Sequence, residues 1–223
     1  MSAEPGGTRG RLSRDKVLRA ALDVADAHGV AGLTIRSLAD ALGVKPMSVY
    51  HHIANKDEIL DGIVDLVFGE IDLPVTGGDW RVEIRQRAQS TRQVLRRHSW
   101  ATALLESRRT PGPANLRHHD SVLGTFRAAG FSVEMTAHAY ALVDAYVYGF
   151  ALQEASLPFS DPDSVPEVAG PILEQFSTGE YPHLVELATE FVMQPGYDFG
   201  DEFDFGLELV LDGLAQRLDC ACP

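Results

Sequence analysis

Apolar residues along the chain recur at three- and four-residue intervals, and no segment shows the two-residue alternation of a half-buried strand. The fold class read from this pattern is all-α. Ser13 precedes a first amphipathic run carrying Val17, Leu18, Ala21, Leu22, Val24 and Ala25, which His28-Gly29 is expected to end. Thr34 stands as N-cap of a second helix whose inner residues are Leu38, Ala39 and Leu42, and Gly43 stops it. After the turn at Val44-Lys45, Pro46 suits a first helical position and opens a short segment, Pro46–Ile53. Asn55 caps a fourth helix with Ile59, Leu60, Ile63, Val64 and Val67 on its apolar face. Residues 74–78 read as a linker, and Asp79 caps a long arginine-rich helix carrying Val82, Ile84, Val94 and Leu95. Further helices are expected over 114–129, ending at Gly130, over 133–155 and over 201–218. A loop at 157–166 and one or two shorter helices over 167–193 lie between the last two.

Two short helices around a tight turn make the segment Leu33–His52 a helix-turn-helix. Leu38, Ala39, Leu42, Val44 and Val49 face inward. Ala39 is small enough for a close helix crossing, and Gly43 supplies the backbone freedom of the turn. The outer face of the second helix is then Lys45, Pro46, Met47, Ser48, Tyr50 and His51. Cationic, hydrogen-bonding and apolar groups mixed in this way fit a helix that enters the major groove of double-stranded DNA.

The string Leu33-Thr34, Arg36, Leu38-Ala39, Leu42-Gly43-Val44, Ser48, Tyr50, His52 and Asn55-Lys56-Asp57 resembles the N-terminal domain of the TetR family of bacterial regulators. Arg127–Phe131 and Gly149–Glu154 resemble the tetracycline-repressor-type sensing domain. The resemblance implies roles by position. Thr34 binds phosphate through its hydroxyl and backbone N–H, and Arg36 reaches a base edge. Lys45, Pro46, Met47 and Ser48 meet bases and nearby backbone, Tyr50 and His51 contact phosphate, and Lys56 anchors on phosphate. Tyr50 has a competing role as a packing residue over the turn. Residues 1–12 are expected to be a disordered arm, 13–60 the three-helix DNA-binding domain, and 61–223 a helical ligand-binding and dimerisation domain.

The net charge of −13 changes this picture only through its distribution. Residues 1–60 hold eight Lys and Arg against seven Asp and Glu, whereas 61–223 hold eleven against twenty-five. The acidity belongs to the second part, and the first retains all three lysines, Lys16, Lys45 and Lys56. Two cysteines, Cys220 and Cys222, are too few for a zinc site and fit a reducing cytoplasm. The chain has no apolar run long enough to span a membrane. His51-His52 point in different directions on a helix, so no metal is expected there. Phosphate loops, nucleophile elbows and metal-ligand spacings are missing from the sequence, so neither an enzyme nor a cofactor is expected.

Helix 133–155 is apolar nearly all round and calls for cover on more than one side. Phe203, Leu207, Val210, Leu211, Leu214 and Leu218 form a stripe on the last helix. Two such helices from each of two copies would build a four-helix homodimer interface. The alternative is burial of both helices against their own chain. Pocket candidates for a small-molecule effector are Trp100, Leu104, His119, Leu123, Phe126, His138, Val143, Tyr146, Val147 and Phe150, with Tyr140 and Gln153 nearby in sequence. His138 reads as a core or pocket histidine, and arginines 81, 85, 92, 96 and 97 as a solvated helix face. The function expected from all this is a repressor released from a palindromic operator by a small molecule. The competing reading is a helical ligand-binding or protein-interaction module that has lost DNA binding.

Overall fold

The computed structural model describes residues 11–105, 107–158, 167–168, 170–171, 179 and 181–220, with the side chains of residues 219 and 220 excluded. Most of the expected arm (1–10), most of the loop at 157–166 and the cysteine side chains lie outside the described residues. Among the described residues nine α-helices follow in chain order: α1 (Arg14–Gly32), α2 (Ile35–Leu42), α3 (Pro46–Tyr50), α4 (Lys56–Gly69), α5 (Trp80–Arg97), α6 (Pro113–Ala128), α7 (Val133–Ala155), α8 (Pro182–Leu187) and α9 (Asp201–Cys220). A 3-10 turn at Ser99–Ala101 and a π-helical turn at Ala188–Val192 complete the described elements, none of which is a strand. α1 runs three residues past the expected stop. Gly29 does break it, at φ +67°, but one further turn follows.

The helices fall into two compact units, one comprising residues 1–73 and 93–121 and the other residues 74–92 and 122–223. In the first unit, Val17, Leu18, Ala21 and Ala25 of α1 meet Leu38 and Ala39 of α2, Val49 of α3, and Ile59 and Ile63 of α4 in one buried cluster. α1 and α4 cross closely at Gly62, where a β-carbon would come within 2.5 Å of Leu18 Cδ2. Side chains stitch the rest of the unit to this frame. Arg108 donates to Asp61 at 2.5 Å and to Asp57 at 3.1 Å, and Asp65 accepts from the Asn115 amide at 2.9 Å. His98 stands between Asp26 (Nδ1 to Oδ1, 2.7 Å) and Glu70 (Nε2 to Oε2, 3.3 Å). Burial alone would raise the Glu70 carboxyl, but hydrogen bonds from Arg97 and His98 outweigh it and hold that carboxyl below its ordinary range.

In the second unit, Ile84, Phe126, Phe131, Val143, Val147, Phe203, Leu207 and Leu211 form the core. The chain leaves α6 through Gly130 at φ +95°, with the Phe131 amide donating back to Phe126 O at 3.2 Å and the two rings 5.1 Å apart. Three sequence expectations change here. Arg81, Arg85 and Arg92 are not a solvated face. Arg81 pairs with Glu208 and Asp212, Arg85 with Glu208, and Arg92 with Glu154, while the Arg92 guanidinium also lies 5.0 Å from the Phe203 ring. The stripe Phe203, Leu207, Leu211 and Leu214 is buried within its own chain, because it is the face of α9 that meets the core. Apolar surface on α7 and α9 lies elsewhere, at Leu142, Leu152, Phe205 and Leu209, each about half exposed or more. His138 is exposed on α7, 3.9 Å from Glu134, and not part of the core.

Candidate nucleic-acid interface

Two caps and a turn set the geometry of α2 and α3. The Thr34 hydroxyl accepts from the Ser37 amide at 3.0 Å, and the Thr34 amide donates to Ser37 Oγ at 2.9 Å, a reciprocal capping box. Ser37 Oγ also donates to Gly32 O at 2.8 Å, tying the start of α2 to the end of α1. At the other end of α2, Gly43 sits at φ +64°. Its amide bonds to Asp40 O at 3.1 Å and the Val44 amide to Ala39 O at 3.0 Å, which closes the helix and redirects the chain into α3. Lys45 precedes α3 in extended backbone with Pro46 at the first turn, and Val49 anchors the helix with 0% exposure.

With Val49 pinned, the rest of α3 is oriented. Lys45, Pro46, Met47, Tyr50 and His51 are exposed, Ser48 and His52 are half-buried. Tyr50 is 47% exposed, so about half of its surface is available to a partner. Arg36 projects from α2 and is exposed, as is Lys56, the first residue of α4. All nine candidates therefore belong to the first unit, and eight lie on or beside α3 or at the start of α2. Thr34 needs one refinement. Its amide is committed to Ser37, so the backbone donors left at the start of α2 for an anion are those of Ile35 and Arg36. The Thr34-x-x-Ser37 spacing carried that information in the sequence.

The start of α4 contains a group that sequence reasoning did not single out. Glu58 accepts from the Ala54 amide at 2.8 Å and pairs with Arg14 at 3.1 Å, while the Asn55 side chain accepts from the Glu58 amide at 2.9 Å. The Ala54 hydrogen bond, then Arg14, holds the Glu58 carboxyl below its ordinary range. Glu58 thus fixes the segment leading into Lys56 and engages Arg14, the first residue of α1.

The pocket candidates are divided between the units. In the first, the Trp100 indole donates to Asp26 at 2.7 Å, Leu104 packs against the core, and His119 meets the Phe68 ring edge-on at 5.5 Å. In the second, Phe126, Val143 and Val147 have no exposed surface, and Phe150 is buried with them. Tyr146 donates to Phe203 O at 2.8 Å, and Leu123 is 37% exposed. A cavity of about 240 Å³ in the second unit, lined by residues such as Phe191, Tyr197, Asp198 and Glu202, contains none of the ten. Among the described residues no cluster of His, Cys, Asp and Glu is arranged to hold a metal ion, and no helix is long and apolar enough to cross a membrane.

Residues 17–63, which hold the capped α2, the Gly43 turn and α3, match the model of the bacterial regulatory proteins of the tetR family. Residues 73–218 match the tetracyclin repressor-like C-terminal domain. The chain belongs to the TetR family. It is 34% identical over 230 residues to the HTH-type transcriptional repressor DrrR1 of Streptomyces coeruleorubidus, covering 97% of this chain and 84% of that protein. It is 30% identical to the class A tetracycline repressor of Escherichia coli, covering 93% of this chain and 92% of that one. Among solved structures, Streptomyces coelicolor ActR in complex with actinorhodin superposes with a TM-score of 0.75 at 27% identity, covering 92% of this chain and 96% of the other. The helix-turn-helix of this TetR-family chain is accordingly the DNA-binding part of a transcriptional regulator.

Proposed function

We propose that the chain is a repressor that binds a near-palindromic operator as a homodimer and leaves it when a small molecule binds. The observation that carries the DNA-binding half of this reading is the outward face of α3. It consists of exposed Lys45, Pro46, Met47, Tyr50 and His51 on a helix fixed from behind by Val49 and flanked by exposed Arg36 and Lys56. In this reading Thr34, Tyr50, His51 and Lys56 contact phosphate, and Arg36, Lys45, Pro46, Met47 and Ser48 address base edges and nearby backbone. Repression is favoured by the relatives, which are named as repressors.

The homodimer reading is supported by the apolar surface that α7 and α9 leave exposed at Leu142, Leu152, Phe205 and Leu209. Two copies would carry two recognition helices spaced by about one DNA turn, roughly 34–36 Å. Release by a small molecule is supported by the actinorhodin complex of ActR and by the tetracycline repressor. The ligand shifts the population away from the DNA-binding conformation. Binding, not turnover, is the proposed activity, carried out on DNA in the cytoplasm. Conversion of any bound compound would revise it.

The test is enrichment of duplexes from a random pool by the full chain, followed by a small-molecule screen for release. An enriched inverted repeat bound by two chains supports the reading. Recovery of no preferred sequence at low salt overturns it in favour of a module that has lost DNA binding.

A further inference from the structure

We infer that Met47 is a specificity-determining residue that reads the C5-methyl group of a thymine in each operator half-site. The inference rests on the DNA-binding reading above and goes beyond it to the chemistry of one base.

Met47 is 68% exposed, the most exposed large apolar side chain in the helix-turn-helix. Its direction is fixed and not a matter of chance. α3 has five residues and is held by Val49, which has no exposed surface. At 3.6 residues per turn, Met47 lies about 200° around the helix from Val49, opposite the core. Pro46, which fixes its own φ, sits immediately before it and stiffens the entry to the helix. Tyr50, about 100° from Val49 on the same scale, carries a hydroxyl suited to phosphate, which leaves Met47 as the apolar summit of the outward face.

A helix docked by that face buries the thioether. In the major groove three of the four bases present hydrogen-bonding edges without an apolar group, and only thymine adds a methyl. Methionine has neither donor nor strong acceptor, so pressing it on a guanine, adenine or cytosine edge strands polar groups that water would otherwise satisfy. Against thymine the same burial is methyl on thioether, and three rotatable bonds let the side chain adapt to the groove.

The experiment begins with the duplex enriched from the random pool by the full-length chain. Each thymine is replaced in turn by uracil, which removes the methyl and nothing else on that edge. At one symmetry-related pair of positions, uracil is expected to weaken binding about fourfold per half-site, the factor one buried methyl supplies, and so about fifteenfold when both are changed. Met47→Ala is expected to bind thymine and uracil operators alike at that pair, with an unchanged thermal midpoint because the side chain is exposed. Met47→Gln is expected to shift the selected base toward adenine, which a carboxamide reads through N6 and N7. Uracil tolerated at every position, or a thymine preference that survives in Met47→Ala, overturns the inference while leaving DNA binding intact. If no duplex is enriched, the DNA-binding reading itself fails and the inference fails with it.

Discussion

Arg36 and Lys56 are both exposed cations, yet they are set up for different work. Arg36 lies in the first turn of α2, with a forked guanidinium able to bridge two acceptors on a guanine. Lys56 begins α4, and in the proposed docking its compact ammonium meets a phosphate of any sequence. Arg36→Ala is therefore expected to weaken operator binding by about 1–3 kcal/mol and relax the preference at one base pair. Lys56→Ala is expected to weaken all DNA alike and lower the slope of log affinity against log salt by about one. Binding isotherms of both variants on the operator and on unrelated DNA across a salt series check the two together. A buried residue pair behaves differently. Arg87 and Asp144 meet at 2.6 Å with almost no exposure of either side chain. Asp144→Ala removes the carboxylate that faces the buried guanidinium, and chemical denaturation is expected to register a loss of about 3–5 kcal/mol.

At the scale of elements, α5 and α9 are joined by charge as well as by apolar packing. Arg81, Arg85 and Gln89 of α5 engage Asp212, Glu208 and Asp204 of α9, an antiparallel register in which each step is one helical turn. The hydrogen bond from Arg85 is the largest influence holding the Glu208 carboxyl below its ordinary value of 4.5. A carboxyl lowered in the folded state stabilises that state above 4.5, and the contribution disappears as the pH falls through its folded value. Glu58 and Glu70 are lowered in the same direction. The thermal midpoint is thus expected to fall as the pH is taken below 4.5. Arg85→Gln should start from a lower midpoint at neutral pH and lose less of it on acidification. None of these pairings was legible from the arginines themselves. Periodicity places residues on a face of α5, but their partners are more than a hundred residues distant in sequence.

For the whole molecule, charge and apolar surface set the expectations. The −14 carried by residues 61–223 repels DNA, so affinity has to come from the contacts made by the first sixty residues and should fall steeply with salt. The dimer proposal has its own test. Leu209 is 60% exposed on α9 and Phe205, one turn earlier, is 67% exposed. Leu209→Glu places a charge in that surface and is expected to yield a folded monomer by light scattering, with operator affinity lost as the second half-site goes unread. A variant that remains dimeric would move the interface elsewhere.

The sequence by itself determined whatever depends on neighbours a few residues apart. The caps at Ser13, Thr34 and Asn55, the left-handed turn at Gly43, the proline start of α3 and the outward set from Lys45 to His51 are local physics, and each stands where its spacing put it. The family resemblance was legible for the same reason, since it resides in that contiguous stretch. Tertiary structure decided the questions with more than one local answer. α9 carries two apolar faces, and only packing shows that Phe203, Leu207 and Leu211 turn to their own core while Phe205 and Leu209 do not. Phe126, Val143 and Val147 suit a pocket or a filled interior equally well by composition, and here they fill the interior. An apolar pattern records that a residue leaves water, whereas its destination depends on chain brought in from far along the sequence.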